Sequence, residues 1–337
     1  KEHSASTDNV RDTQALSVSR AESGQKLLNF LHRRSNAPTS DFHRWIRTGQ
    51  VRINGARAKA FDRLNEGDMV RVPPFAERLP AGGEKTLPPK EPQRSRLDIV
   101  FENDDILVLS KPAGLPVQGG TGLRESVASI LAEERADASF VTAPVHRLDK
   151  DTSGLLAAGK TYAAVRLLTD ALAGRGEVRP RKEYLAWVEG EWPHDGAVEL
   201  RDRVSKDKRE QRMKASSDEA DGNGAKEARC EVRKLAVRVV RGRKRTLLLV
   251  HLITGRTHQI RVQLATRGHA VVGDPWYGTS EDTARESLKL HAFRLSVPSP
   301  GGKTLDFELA PPWKGPWKWT GDDENSARIR GSFTETH

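Results

Sequence analysis

His146-Arg-Leu-Asp-Lys-Asp-Thr-Ser-Gly-Leu-Leu156 is the stretch on which the reading of the whole chain turns. It sets Asp149 among cations in a short turn and follows it with Thr152, Ser153 and Gly154, small residues that permit close backbone approach. Neighbouring cations favour the ionised carboxylate that a nucleophile must present. The plain alternative is a salt-bridged loop whose Thr-Ser-Gly caps a helix. For an isolated Arg-Leu-Asp triplet that is the commoner outcome.

Two further segments carry chemistry. Thr254-Gly-Arg-Thr-His-Gln-Ile-Arg-Val-Gln-Leu264 follows an apolar strand, turns at Gly255, and sets His258, Arg261 and Leu264 at helical spacing. A basic residue on that face can pair with a carboxylate brought from elsewhere, although a solvated helix face has the same pattern. Arg181-Lys-Glu-Tyr-Leu-Ala-Trp187 alternates like a strand, with Tyr184 either a structural ring or a functional one.

The surrounding composition limits the function classes. The 337 residues are 36% hydrophobic and 30% charged, enough for a sizeable core under a strongly polar surface. Apolar runs such as Ile106–Leu109 and Leu247–Val250 are far too short to cross a bilayer. No charged-then-apolar pattern marks a secretory signal, so a soluble, cytoplasmic protein is expected. Cys230 is the single cysteine, which excludes an internal disulfide and a cysteine zinc cluster. The formal charge of +10 and pI near 9.8 favour a polyanionic partner. Residues 24–74 concentrate that charge, with ten Lys and Arg against four Asp and Glu.

Residues 1–22 lack periodicity and read as a disordered arm. Residues 23–75 read as a compact module. Leu27, Leu28, Phe30 and Leu31 form one helical stripe, and Phe42, Trp45 and Ile46 form a second after an N-cap at Ser40. A strand then enters the Asn54-Gly55 turn, and Met69–Val72 alternates as another. Residues 76–96, rich in Pro, Gly and charge, read as a flexible linker. Over 97–320 strands and helices mix without regular βαβ alternation, which predicts an α+β domain around a central sheet. Within it, 201–228 read as a hydrophilic insertion with a mobile tip at Asp221–Gly224, and 321–337 as a frayed tail.

Taken together and in order, these segments resemble the RluA family of pseudouridine synthases. The 146–156 segment matches that family's active-site signature in all its fixed letters. Lys111-Pro-Ala-Gly114, Lys182-x-Tyr184, Thr254–Arg261, Gly273-Asp274 and Tyr277-Gly278 are further landmarks, and the likeness covers 97 to about 312. Ile46–Gly55 and Gly67-Asp68 resemble the small α-L RNA-binding domain named after ribosomal protein S4. Val117–Leu123 and the Arg-Val-Pro-Pro close of the small module look most like the RluC branch, whose members modify large-subunit ribosomal RNA. An RluD-type or transfer-RNA-directed enzyme is the runner-up.

The resemblance implies a mixed, largely antiparallel sheet with a catalytic cleft, no cofactor and no metal. Asp149 matches the nucleophile, Arg261 its basic partner, and Tyr184 the ring that stacks on the flipped base. Arg147 matches the arginine that fills the space vacated in the RNA, with His146 assisting it. Gly154 and Gly255 serve backbone geometry. Arg44, Arg47, Arg52 and Lys59 are candidates for phosphate contacts in the small module. Structured RNA is the implied partner and a monomer the implied state. A glycoside hydrolase would need two carboxylates flanking the bond, and the segments supply one acid with a cation. A binding-only ribosome-assembly protein would have lost Asp149, Tyr184 or Arg261, all of which are present.

Overall fold

The computed structural model describes residues 14–35, 37–73, 96–119, 125–136, 140–176, 178–206, 213–216, 224–278 and 285–320. The linker predicted over 76–96, apart from Arg96, and the tail over 321–337 lie outside these residues.

The small module contains β1 (Gln14–Ser17), α1 (Leu27–Arg34), α2 (Thr39–Arg47), β2 (Arg52–Ile53), β3 (Ala56–Arg57) and β4 (Met69–Val72). Its sheet runs β1-β4-β2-β3, antiparallel throughout. Phe30, Phe42, Trp45, Leu64 and Val70 form its core. Asn54 and Gly55 both take positive φ, as a tight hairpin of this twist requires. The Asn54 amide donates to Asp68 Oδ1 at 2.8 Å and accepts the Met69 N–H at 2.8 Å, tying the two turns together.

Two expectations for this region are corrected. The arm predicted over 1–22 is ordered from Gln14 onward: β1 pairs with β4, Val18 is buried, and buried Glu22 receives Arg34 at 2.8 Å. Four residues alternate too briefly to read as a strand until β4 supplies the partner. Helix α2 starts at Thr39 after Pro38, whose φ of −57° already suits the flank of a helix, and not behind an N-cap at Ser40. The module also contacts the larger domain, with the Arg33 guanidinium 4.2 Å over the Phe140 ring and donating to the Val141 carbonyl at 3.5 Å.

The larger domain comprises β5 (Asp98–Glu102), β6 (Ile106–Lys111), α3 (Val127–Glu134), β7 (Ala143–Pro144), β8 (Ser153–Gly159), α4 (Tyr162–Leu172) and β9 (Lys182–Glu189). It continues with β10 (Val198–Lys206), β11 (Met213–Ser216), β12 (Lys226–Val240), β13 (Arg243–Leu252), α5 (Gln259–Thr266), β14 (Leu290–Pro298) and β15 (Thr304–Glu308). Among the described residues eleven strands form one sheet in the order β11-β10-β12-β13-β9-β14-β8-β6-β5, with β15 beside β14 and β7 beside β8. The β14–β8 pair is parallel and the others are antiparallel, which is the mixed α+β sheet predicted. The ends of the 201–228 stretch are the paired arms of β10 and β12, and Asp202 is buried there against Arg267 and Gln263. Of the tip predicted at Asp221–Gly224, all but Gly224 lies outside the described residues.

Both faces of the sheet are covered, so its central strands are apolar on both sides. Tyr184, Ala186 and Val188 of β9 and Leu248, Val250 and Leu252 of β13 point to one face. Leu185, Trp187, Leu247 and Leu249 point to the other. The first face also receives Leu148 and the α5 residues Ile260 and Leu264. One hydrophobic layer thus brings the 146–152 loop, α5 and β9 together.

The parallel joint between β8 and β14 explains the rest of the Thr-Ser-Gly motif. Gly154 has φ +115°, and a Cβ there would lie 2.3 Å from the Ala292 carbonyl oxygen. Gly154→Ala is therefore expected to destabilise the fold by more than about 4 kcal/mol, measured by urea denaturation. Unchanged stability would refute this packing. Gly255 differs: a side chain there would meet open space.

Ser153 turns away from the cleft and bonds His291 Nδ1 at 2.8 Å, while His291 Nε2 donates to the Leu309 carbonyl at 2.9 Å. Burial pushes the His291 imidazole down to about 4. The unfolded chain takes up this proton near pH 6.5 and the folded chain only near 4. The contribution is complete above 6.5, is lost as pH falls between these values, and is constant below both. His291→Gln is expected to remove about 3 kcal/mol of this acid-dependent loss, read as the difference between variant and wild-type unfolding curves at pH 7 and 4. Parallel pH dependences in the two proteins would show that His291 is not buried neutral.

Candidate active site

Asp149 stands on the loop between β7 and β8, at the floor of a cavity of about 110 Å³ walled by Tyr184, Leu252, Ile260, Arg261 and Leu290. The loop is pinned from below. Lys111, buried at the end of β6, donates to the carbonyls of Pro112 (2.7 Å), Leu115 (2.7 Å) and Lys150 (2.9 Å). Burial pushes the Lys111 ammonium down to about 8, against the pull of Asp151 and Asp149. Lys111 of the Lys-Pro-Ala-Gly landmark thus grips the Asp149 loop by its backbone.

Arg261 lies in the first turn of α5 and is 3% exposed. Its Nη1 donates to Asp149 Oδ2 at 3.1 Å, while Nε and Nη2 bind both oxygens of Asp274 at 2.7 and 2.8 Å. Asp274 is fully buried and also accepts the N–H groups of Trp276 (2.9 Å) and Tyr277 (3.1 Å). Burial alone would lower the Arg261 pKa, but the pairs with Asp274 and Asp149 outweigh it and raise it. A bidentate clamp therefore aims a permanently charged guanidinium at Asp149.

The turn before α5 is built by Gln259, whose Oε1 accepts from the Thr254 hydroxyl (2.8 Å) and the Arg256 N–H (3.0 Å). His258 caps the helix in the left-handed region, φ +53°. Its Nδ1 is 3.0 Å from the Tyr277 hydroxyl and its Nε2 is 4.0 Å from Asp149 Oδ2. Burial chiefly lowers the His258 pKa, partly offset by Asp149. Tyr184, on β9, faces the cavity nearly buried, and burial together with the Asp149 charge raises its pKa, so it stands there as a neutral phenol.

The remaining predicted residues separate into three places. Arg147 is exposed at the rim of the cavity. His146 does not face the cavity: its Nε2 accepts the Ala157 N–H at 3.0 Å, and burial pushes it down to about 4. This bond ties the loop before Asp149 to β8. Arg44, Arg47, Arg52 and Lys59 are exposed on the small module, away from the cavity. Arg44 pairs with Asp41 at 3.0 Å, and Arg52 donates to the Gly55 carbonyl at 3.0 Å.

Sequence reasoning gave no role to Asp274, Lys111, His258 or Tyr277. All four lay inside recognised landmarks, but nothing in their spacing says which partner each meets. A second carboxylate does reach Arg261, yet its oxygens are taken by the guanidinium and two backbone N–H groups. Among the described residues no group of three His, Cys, Asp or Glu could hold a metal ion, and no helix is long and apolar enough to cross a membrane.

Comparisons with known proteins bear on the family of this chain. The model of the RNA pseudouridylate synthase family matches residues 105–266. The chain is 34% identical over 309 residues to ribosomal large subunit pseudouridine synthase C of Haemophilus influenzae, covering 88% of this chain and 90% of that protein. The Escherichia coli protein of the same name is 35% identical, with 87% and 91% covered. Among solved structures, human RNA pseudouridylate synthase domain containing 1 superposes with a TM-score of 0.57 at 24% identity, over 72% of this chain and 98% of that one. Human RNA pseudouridylate synthase domain containing 4 gives 0.52 at 22% identity, over 64% and 88%. These two establish the fold. With a relative above 30% identity spanning nearly its whole length, this chain belongs to the RNA pseudouridylate synthase family.

Proposed function

We propose that the protein isomerises specific uridines to pseudouridine in large-subunit ribosomal RNA, with Asp149 as the nucleophile. The observation that carries this reading is the chain Asp274–Arg261–Asp149 at a cavity that Tyr184 also lines. The reaction breaks the bond from the ribose anomeric carbon to a uracil ring nitrogen and rejoins that carbon to a ring carbon. The ring carbon gives up its hydrogen and the nitrogen gains one, so atoms and electrons balance without a cofactor. Apolar walls from Leu252, Ile260 and Leu290 keep the detached uracil from water.

A stacked uridine cannot reach Asp149, so the target leaves the helix. Tyr184 stacks on it and, as a neutral phenol, can pass a proton. Arg147 at the rim fills the vacated place in the RNA. The small module from Gln14 to Pro73 acts as an S4-type RNA-binding domain, with Arg44, Arg47, Arg52 and Lys59 on phosphates. The enzyme works as a monomer in the cytoplasm. Relatives named for the ribosomal large subunit support that RNA as substrate.

The test is incubation with unmodified large-subunit ribosomal RNA and, separately, with bulk unmodified transfer RNA, mapping pseudouridine by carbodiimide labelling and primer extension. New stops in the ribosomal RNA are expected. Stops only in transfer RNA would keep the chemistry and overturn the substrate.

A further inference from the structure

We propose that Trp276 and the cavity beside it form a second base-binding subsite, which takes a nucleotide adjacent to the target uridine once that nucleotide has left the RNA stack. The inference rests on the function proposed above and extends it to a contact that selects the RNA.

A cavity of about 380 Å³, lined by Val117, Gln118, Arg147, Lys150 and Trp276, opens beside the reaction cavity and shares Asp149, His258 and Arg261 with it. Tyr184 lines the reaction cavity and not this one. The two spaces are therefore joined at the nucleophile but furnished differently. The indole of Trp276 is 47% exposed. Its backbone is anchored, since the Trp276 main-chain N–H donates to Asp274 Oδ1 at 2.9 Å, and the ring meets His258 in a T-shaped contact at 5.4 Å. The carboxylate that pairs with Arg261 thus also holds the turn that carries this ring.

A half-exposed tryptophan on a cavity wall beside the exposed cation Lys150 has the properties of a single-strand platform. Stacking accepts any base, because every base has a π face, while Lys150 can neutralise a flanking phosphate. The other exposed large apolar side chains, such as Ile99, Val100 and Phe61, do not line either cavity.

The test begins by mapping the uridines that the wild-type enzyme modifies. A short RNA carrying one such uridine is then made with an abasic residue at each flanking position in turn. Wild type, Trp276→Phe, Trp276→Leu and Trp276→Ala are compared by release of tritium from the uracil ring carbon. One abasic RNA is expected to raise KM about tenfold on the wild type and on Trp276→Phe, with kcat little changed. On Trp276→Ala the same abasic residue is expected to cost nothing further, because ring and base act as one contact. Trp276→Leu keeps bulk without a π face and carries the comparison if the alanine variant fails to fold.

Losses that multiply to about a hundredfold in the combined case, a wild type indifferent to both flanking bases, or a Phe variant as impaired as Ala would each overturn the subsite. If the wild type makes no pseudouridine in any RNA, the proposed function falls and the subsite with it. That outcome is distinct from an active enzyme whose two losses are independent.

Discussion

Asp149→Asn is expected to bind the RNA substrate as the wild type does and to lose at least about 10⁴-fold in kcat, the scale on which removal of a nucleophile acts. The substitution is nearly isosteric. Arg261 remains clamped by Asp274 at 2.7 and 2.8 Å, so the cavity keeps its shape while the group that must form or break a bond is gone. Single-turnover tritium release and a filter-binding isotherm on the same RNA separate the two quantities. Loss of binding together with rate would mean that Asp149 serves folding of the loop. Retained turnover would remove it from the chemistry.

The second large effect is expected at Asp274. With Asp274→Ala, Arg261 loses both hydrogen bonds of its clamp and stays buried at 3% exposure with Asp149 as its remaining acid. Breaking a buried pair in this way costs about 3–5 kcal/mol, visible in urea denaturation. Asp274→Asn retains an acceptor for the Trp276 and Tyr277 N–H groups. It should lose less stability and lower kcat more than it raises KM, because the guanidinium is no longer aimed at Asp149. Two variants as stable and as active as the wild type would show that the Asp274 clamp does not orient the site.

The fold and the site were unequally legible in the sequence. The apolar runs Ile106–Leu109 and Leu247–Val250 and the strand-like alternation of Arg181–Trp187 marked the central strands, and helical spacing from His258 to Leu264 marked α5. In each case a local pattern carried the signal. The strand at Gln14–Ser17 and the paired arms of β10 and β12 were missed because their polar residues are bought into the sheet by long-range partners: β4 for the first, Arg267 and Gln263 for Asp202. At the site, Asp149, Tyr184 and Arg261 were identifiable from their motifs. Their convergence was not, since Asp149 and Arg261 lie 112 residues apart and meet only because loop and helix share one face of the sheet. The orientation of His146 was not legible for a related reason: adjacency to Arg147 in the chain says nothing of direction, and its imidazole accepts the Ala157 N–H.

The central claim is that this cavity rearranges uridine by its own side chains. Its most direct test is to incubate the purified protein with unmodified large-subunit ribosomal RNA in buffer containing EDTA, digest the RNA to nucleosides, and quantify pseudouridine against uridine. A fixed small number of pseudouridines per RNA is the expected result, each matched by the loss of one uridine. RNA that returns with its uridine unchanged, while the protein is folded and bound to it, would contradict the claim.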